Sequence, residues 1–144
     1  MVDLVWRKWF EIGHEVIDFE HKIFFSQIHK LQCLVKESHH KDEIRRVMEE
    51  IIKYADFHFT SEENIMIDAA YPGLEAHKSI HRNLMRDLRE TISSFDGGSD
   101  NAELIVTFLF RWLLEHTINE DLVISKSIKE KHLREFFRAA SDQE

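Results

Sequence analysis

The chain of 144 residues contains one proline, four glycines and one cysteine. So few helix-breaking residues argue against a fold of many short strands and turns, and they favour long helices joined by few loops. The lone Cys33 excludes an internal disulfide and a metal site built from cysteines, and it fits a reducing compartment. The net charge of −8 argues against nonspecific nucleic-acid binding, which requires lysine and arginine against phosphates.

Long apolar runs are also missing from the sequence. No run approaches the roughly 20 residues of a membrane-spanning helix, and the start, MVDLVWRKWF, lacks the apolar stretch of a secretory signal. We therefore expect a cytoplasmic protein that neither spans a membrane nor binds nucleic acid, and we expect it to be a monomer. At this length the chain is most simply one domain, residues 1–144.

Hydrophobic residues recur with helical spacing in four stretches, which predict helices over about 18–38, 42–70, 74–95 and from 101 onward. Asp18 and Asp42 are the predicted N-caps, and Phe19 is predicted to begin the buried stripe of the first helix. The stretches YPG and DGG predict turns, and Gly97 or Gly98 can supply a left-handed helix cap. Four helices with short links predict an all-α, up-down-up-down four-helix bundle over residues 18–121. Residues 1–17 form an N-terminal arm, and 122–144 form an extension that can add a short helix around SIKEKHLREFFRAA.

Potential metal ligands stand on all four predicted helices: His21, His58 with Glu62, His77 with His81, and His116 with Asp121. The first two pairs are four residues apart, so each pair lies on one helix face. The last pair is five residues apart, which separates the two side chains by about 140° on an ideal α-helix. Taken alone, each pair is more simply explained as surface residues.

Counting residues from the predicted turns places all seven ligands in one layer of the bundle. Glu62 stands nine residues before Tyr71 and His81 ten after it, and His116 stands 18 residues after Gly98. Because each helical residue rises 1.5 Å, these positions fall at similar depth, which chance would not produce. Five imidazoles and two carboxylates exceed the four ligands of tetrahedral zinc and suit two octahedral first-row ions. If both carboxylates and one hydroxide bridge the ions, eleven of the twelve coordination positions are filled and one stays open.

The order and spacing of these residues resemble the hemerythrin family, in particular the single-domain bacteriohemerythrins. The motifs are the lone histidine of IDFEHK, then HxxxE, HxxxH and HxxxxD, with YPGLEAH leading into the third. The similarity extends from about Val5 to Asp121. It implies a four-helix bundle that holds two non-haem iron ions, bridged by oxide or hydroxide and two carboxylates, and that binds O₂ reversibly.

The resemblance also implies a role for each residue. One iron would be held by His77, His81 and His116, the other by His21 and His58, and Glu62 and Asp121 would bridge them. The open position would lie on the two-histidine iron. The implied O₂ pocket is apolar and consists of Phe59, Trp112, Leu113 and Thr117.

Three positions depart from the family pattern: Thr117 replaces the usual isoleucine, Ile124 stands where many bacterial members have tyrosine, and Phe24 stands where leucine is common. The Thr117 hydroxyl either bonds back to a carbonyl of its own helix or stands, alone or with a water, beside bound O₂. The second interpretation predicts faster autoxidation than in isoleucine-bearing relatives.

The leading functional hypothesis is a diiron O₂-binding protein for storage, delivery or buffering, and not an enzyme. One alternative is an O₂ or redox sensor that signals to a protein partner. Another is a peroxidase or an NO-handling enzyme at the same open position, which the polar Thr117 modestly favours.

Overall fold

The computed structural model describes residues 5–142, apart from the side chain of Ile118. It contains five α-helices: α1 (Glu15–Lys36), α2 (Lys41–Asp68), α3 (Leu74–Ser93), α4 (Ser99–His116) and α5 (Leu122–Ser141). A 3₁₀ turn, Lys8–Phe10, precedes α1, and a π-helical turn, Thr117–Asp121, joins α4 to α5. These residues include no strand, so the predicted all-α fold is confirmed.

Packing between neighbouring helices forms a four-helix bundle. Helix α1 packs against α2 and α4, and α2 packs against α3. The connections cover residues 37–40, 69–73 and 94–98. Connections this short join antiparallel neighbours, so α1 to α4 run up-down-up-down as predicted.

The predicted N-caps, Asp18 and Asp42, were wrong. Helix α1 begins three residues earlier, and the Nδ1 atom of His14 accepts a hydrogen bond from the Ile17 backbone N–H. Helix α2 begins one residue earlier, and His40 accepts from the Asp42 N–H in the same way. An imidazole nitrogen can satisfy the free N–H groups of a first turn as an aspartate oxygen does.

Asp18 instead fastens the N-terminal arm to the bundle. Its carboxylate is buried and accepts hydrogen bonds from the backbone N–H groups of Ile12, at 2.7 Å, and Gly13, at 3.0 Å. Gly13 has a φ of +87°, a conformation that favours glycine. The predicted arm, 1–17, therefore ends in a fixed turn before α1, and its first four residues lie outside the described residues.

The third helix does not end in the predicted left-handed cap, because the left-handed glycine lies further along the chain. Helix α3 ends at Ser93 and is followed by Ser94 in a right-handed conformation. Gly97 has a φ of +91°, but it lies in the turn, and Gly98 precedes the first residue of α4. The turn was thus predicted correctly, while the glycine serves the chain reversal rather than the helix end.

The main core lies between α1, α2, α3 and α4, and its fully buried members include Phe24, Ile28, Leu31, Met48, Ile51, Leu88 and Leu109. Phe19, which we predicted to be buried, is 63% exposed. Each residue advances about 100° around an α-helix, and at this level Glu20 and His21 take the inward positions. Phe19 is on the outer face because polar residues occupy the inner one.

The C-terminal helix is longer than predicted and continuous with α4 through the π-helical turn. Its first half packs on the bundle through Ile124 and Ile128, which form a second small core with Met66, while residues 132–142 are exposed. The predicted boundary between bundle and extension, at 121 and 122, therefore falls inside a continuous helical segment. No helix within residues 5–142 is long and apolar enough to cross a membrane.

Candidate metal centre

Seven buried side chains meet at one level inside the bundle: His21 from α1, His58 and Glu62 from α2, His77 and His81 from α3, His116 from α4, and Asp121 from the π-helical turn. None is more than 5% exposed. The structure thus brings together all of the ligands that the sequence motifs indicated.

The ligand atoms form two overlapping groups. One group contains Glu62, His77, His81, His116 and Asp121, and the other contains His21, His58, Glu62 and Asp121. Within each group, one atom from every residue lies within 4.8 Å of the others. The two carboxylates belong to both groups. An arrangement of this kind can hold two metal ions side by side with the carboxylates between them.

The π-helical turn explains the five-residue spacing of His116 and Asp121. In this turn the Leu122 N–H donates to the Thr117 carbonyl, an i→i+5 hydrogen bond instead of the α-helical i→i+4 bond. The wider turn brings His116 Nε2 within 2.9 Å of Asp121 Oδ1. The sequence contained the signal, since HxxxxD cannot share a face on an α-helix, but the π-helical turn itself was not predicted.

Distances between the ligand atoms suit shared metal ions. Two ligands at right angles around an ion, each about 2.1 Å from it, stand about 3.0 Å apart. The Nε2 atoms of His21 and His58 are 3.1 Å apart. His21 Nε2 lies 3.0 Å from Asp121 Oδ2, and His116 Nε2 lies 2.9 Å from Asp121 Oδ1.

Several of these polar atoms are buried without hydrogen-bond partners among the described residues. They include both carboxylate oxygens of Asp121, Oε2 of Glu62 and both ring nitrogens of His116. The close contact between His116 and Asp121 is not aligned as a hydrogen bond. A buried carboxylate without donors is costly, and a cation between these atoms would satisfy them. The residues present therefore fit a metal ion.

The metal-free cluster keeps its carboxylates ionised. Burial raises the pKa of the Glu62 carboxyl, but contacts with the surrounding histidines outweigh it and hold this pKa well below its usual value. Burial and the charge of Glu62 also raise the pKa of Asp121, yet His116 and His21 lower it to about 2. Both carboxylates are thus charged at neutral pH, as metal ligands must be.

Most of the histidines respond to these charges. Burial lowers the pKa of His116, but the charge of Asp121 outweighs it and raises the pKa to about 10. The pKa of His77 is raised to about 9 against burial by Asp121 and Glu62. The pKa of His81 shifts in the opposite direction, because burial outweighs its contact with Glu62 and lowers it. An arriving metal ion must therefore displace protons from this cluster.

A third buried carboxylate, outside the cluster itself, supports it, and sequence reasoning missed it. Glu20 Oε1 lies 2.9 Å from His58 Nδ1, and Glu20 Oε2 accepts a hydrogen bond from the Ser61 hydroxyl at 2.7 Å. The only signal in the sequence was its position directly before His21. Which ligand it would contact depended on how α1 packs against α2.

The four residues of the predicted O₂ pocket do not line one common cavity: Phe59, Trp112, Leu113 and Thr117. Phe59 stacks on His81, with ring centroids 4.1 Å apart and planes at 16°, and Trp112 packs against Phe59 at 5.7 Å. Leu113 and Thr117 line a narrow cavity that reaches His21. Only the second pair therefore borders open space beside the two-histidine group.

The cavity beside His21 has a volume of about 10 Å³, which is room for about one water-sized molecule. Its other lining residues are apolar and mostly aromatic: Trp6, Phe10, Phe25, Phe110 and Leu114. Trp6 contacts Phe10 and Phe25 edge-on, with centroids 5.3 and 5.8 Å apart. Trp6 and Phe10 belong to the arm. Sequence reasoning gave them no role, although aromatic residues four apart in a short arm are a signal for packing onto the bundle.

The Thr117 hydroxyl donates to the Leu113 carbonyl of its own helix at 2.7 Å. The first of the two interpretations made from the sequence is therefore the one observed. Ile124, the second departure from the family pattern, is fully buried in the small core. Phe24, the third, packs edge-on against Tyr54 and Trp112.

Comparison with known proteins agrees with the motifs. Residues 12–126 match the family model described as Hemerythrin HHE cation binding domain. The chain is 31% identical to a bacteriohemerythrin of Stenotrophomonas maltophilia over 138 residues, which cover 96% of this chain and 89% of the relative. It is 36% identical to a bacteriohemerythrin of Pseudomonas aeruginosa over 121 residues, covering 84% and 78%. A bacteriohemerythrin of Clostridium acetobutylicum is 30% identical over 122 residues, covering 81% and 95%. The resemblance inferred from the ligand motifs is confirmed, and the chain belongs to the hemerythrin HHE cation-binding domain family.

Proposed function

We propose that this protein binds O₂ reversibly at a centre of two non-haem iron ions. The observation that carries the proposal is the orientation of Asp121, which belongs to both ligand groups. Its Oδ1 atom lies 2.9 Å from His116 and its Oδ2 atom 3.0 Å from His21. Because each oxygen faces a different group of histidines, this carboxylate is suited to bridge two ions.

The proposed ligands follow the two groups. His77, His81 and His116 would hold one iron, His21 and His58 the other, with Glu62, Asp121 and an oxide or hydroxide between them. Two ferrous ions would supply the electrons that O₂ accepts when it binds. The two-histidine side has one protein ligand fewer, which leaves a coordination position for a small molecule, and the cavity at His21 lies on that side.

The surrounding residues would exclude water and withhold protons from the bound ligand. Aromatic and aliphatic side chains line the cavity, so a small apolar molecule is accommodated more favourably than an ion. The Thr117 hydroxyl has its hydrogen committed to the Leu113 carbonyl. Its oxygen can accept a hydrogen bond, but it does not offer the ligand a free donor. Such a pocket favours storage, delivery or buffering of O₂ over its consumption.

The proposal is tested by loading the metal-free protein anaerobically with ferrous ion and then adding O₂. We expect two irons per chain and a charge-transfer band that appears with O₂ and disappears when O₂ is removed. A single bound ion, or an absorption spectrum that does not respond to O₂, would overturn the proposal. Steady turnover of peroxide or NO would instead favour an enzyme, although the committed Thr117 hydroxyl removes the feature that first suggested one.

A sensor is the second candidate, and one observation favours it. Asp121 ends the π-helical turn and directly precedes α5, whose outer residues, 132–142, are exposed. A change in the position of Asp121 would thus be passed to a helix that reaches beyond the bundle. Hydrogen exchange of α5 measured with and without O₂ tests this candidate. Identical exchange in the two states would remove it.

A further inference from the structure

Glu20 joins two helices next to the proposed metal centre. It lies on α1, is 7% exposed, and contacts two residues of α2. One carboxylate oxygen faces His58 Nδ1 at 2.9 Å, and the other accepts from the Ser61 hydroxyl at 2.7 Å. Both oxygens are therefore engaged, and the carboxylate is held from two directions.

The backbone of Glu20 is also held in place. The Tyr54 hydroxyl, again from α2, donates to the Glu20 carbonyl oxygen at 2.7 Å. This bond fixes the height and rotation of α1 relative to α2 at the level of the ligands. With the backbone held, the carboxylate cannot swing away from His58 without also breaking the hydrogen bond from Ser61.

The contact with Glu20 determines which nitrogen of His58 is free. A carboxylate only accepts hydrogen bonds, so the Nδ1 atom of a neutral His58 ring must carry the proton. The lone pair is then on Nε2, which lies 3.1 Å from His21 Nε2 and 3.4 Å from Glu62 Oε2. The nitrogen able to bind a metal thus points into the cluster.

Other ligand histidines lack this support. Within residues 5–142, the Nδ1 atoms of His21, His81 and His116 are buried and have no hydrogen-bond partner. The nearest comparable residue is Glu63, whose Oε2 atom is 3.6 Å from His81 Nδ1. That distance is too long for a hydrogen bond. Glu20 and Glu63 can therefore be compared: the carboxylate of Glu20 is hydrogen-bonded to a ligand ring, and that of Glu63 lies beside a ligand ring without a hydrogen bond.

We infer that Glu20 is a positioning residue that orients His58 through the Nδ1 hydrogen bond and strengthens its Nε2 as a ligand for the two-histidine ion. A hydrogen bond to a carboxylate makes an imidazole a more basic ligand, which favours the more highly charged state of the metal it binds. The effect acts on one ion and not on its neighbour. It would make the side with the open position the more easily oxidised one. This inference rests on the proposed function.

The test compares Glu20→Ala and Glu20→Gln with the matched control Glu63→Gln. Metal-free protein is titrated anaerobically with ferrous ion against a competing chelator, and the midpoint potential of the loaded protein is measured. In Glu20→Ala we expect the more weakly bound of the two ions to lose about 10- to 100-fold in affinity, the effect typical of removing such a support. Glu20→Gln keeps a neutral acceptor for His58, so its loss of affinity should be smaller. Both Glu20 variants should show a more positive midpoint potential, and Glu63→Gln should match the wild type.

Folding is checked by circular dichroism and thermal melting of each metal-free variant. If Glu20→Ala does not fold, Glu20→Gln decides the matter, because its amide fills the same space and the potential reports the lost charge. A wild-type potential in folded Glu20→Gln overturns the inference, as does an equal weakening of both ions in Glu20→Ala. If the wild type itself binds fewer than two ions, the proposed function fails and the inference with it. If the wild type binds two ions and the Glu20 variants behave like it, only the inference fails.

Discussion

The two sides of the candidate centre are built differently. On the three-histidine side the rings pack against one another and against Phe59, which stacks on His81 at 4.1 Å. On the two-histidine side a buried carboxylate, Glu20, fixes one ring, and a small apolar cavity borders the other, His21. The three-histidine side is thus packed with aromatic rings and borders surface clefts at His81 and His116, while the other side combines a polar support with a small apolar cavity. We therefore expect changes on the two sides to affect metal binding and the proposed O₂ response differently.

The largest effect should come from a residue that both sides share. Glu62→Ala removes a carboxylate from both ligand groups, so we expect the variant to retain less than one iron per chain. The two groups of histidines would then have only the Asp121 carboxylate to offset the charge of the ions. Iron content after anaerobic loading and desalting is the measurement. Glu63→Ala, at the next position on the same helix, is the control, and a Glu62→Ala protein with two irons would contradict the bridging role.

Removing a ligand from one side should separate the two sides. His21→Ala takes one of the two histidines from the side with the cavity, and we expect about one iron per chain to remain because the other group is intact. The O₂-dependent band should disappear, since its proposed site is lost. Phe19→Ala, an exposed position on the same helix, should leave both measurements unchanged. A normal O₂ response in His21→Ala would place the open position on the other side.

The grouping of the seven candidate ligands could be predicted from sequence because it depends on regular geometry. A four-residue spacing fixes a helix face, and counting from the turns at Tyr71 and Gly98 fixes depth. Neither step needs the details of packing. Two pairs that each share a helix face, together with seven residues at one level of the bundle, were enough to indicate a metal site, although the turn that brings Asp121 beside His116 is not α-helical.

The features that the sequence did not reveal depend on how each helix is rotated about its axis relative to its neighbours. Glu20 contacts His58 across the interface between α1 and α2, and no spacing within one helix encodes that contact. Phe19 was assigned to the core by its hydrophobicity, although polar ligands held the inner face at that level. The arm was recognised as a segment, but its role in closing the cavity required knowledge of where Trp6 packs.

The charges of the metal-free cluster predict how its stability depends on pH. Glu62 and Asp121 have lowered pKa values, so their contribution is present above the usual values of 4.5 and 3.8 and is lost as pH falls through the folded-state values. His77 and His116 have pKa values raised to about 9 and about 10. Their contribution is complete below the usual 6.5 and is lost as pH rises through 9 and 10.

Stability of the metal-free protein should therefore be greatest between about pH 5 and 6.5 and should decline toward pH 10. Urea denaturation at several pH values measures this, and the same series with bound metal is the control, since a metal ion replaces the protons. NMR titration of the histidine signals compares two residues of the three-histidine side. As pH rises, His81 should lose its proton well before His116. A free energy of unfolding that stays constant from pH 6 to 10 would contradict the assignment.

The arm offers a smaller and more selective perturbation of the two-histidine side. Trp6→Ala removes an aromatic wall of the cavity beside His21, so water should reach the site more easily. We expect the O₂-loaded form to decay about three- to tenfold faster, equivalent to about 0.7–1.4 kcal/mol in the barrier. Trp9→Ala is the matched control, because Trp9 is in the same arm but is 63% exposed. Decay of Trp6→Ala at the wild-type rate would show that the arm does not protect the site.

The smallest expected effect concerns Thr117, which lines the same cavity at its inner end. Its hydroxyl hydrogen is donated to the Leu113 carbonyl, so any influence on bound O₂ comes from the oxygen, which can accept from a water, and from the reduced volume relative to isoleucine. Thr117→Ile removes the oxygen and fills the additional volume with hydrocarbon. We expect the O₂-loaded form to decay about twofold more slowly, a change of about 0.4 kcal/mol in the barrier. Thr117→Val removes the hydroxyl at nearly constant volume, so it distinguishes the effect of the lost hydroxyl from the effect of a filled cavity. Equal decay rates in wild type and Thr117→Ile would show that this departure from the family pattern has no chemical consequence, leaving the hydroxyl as a local bond within the helix.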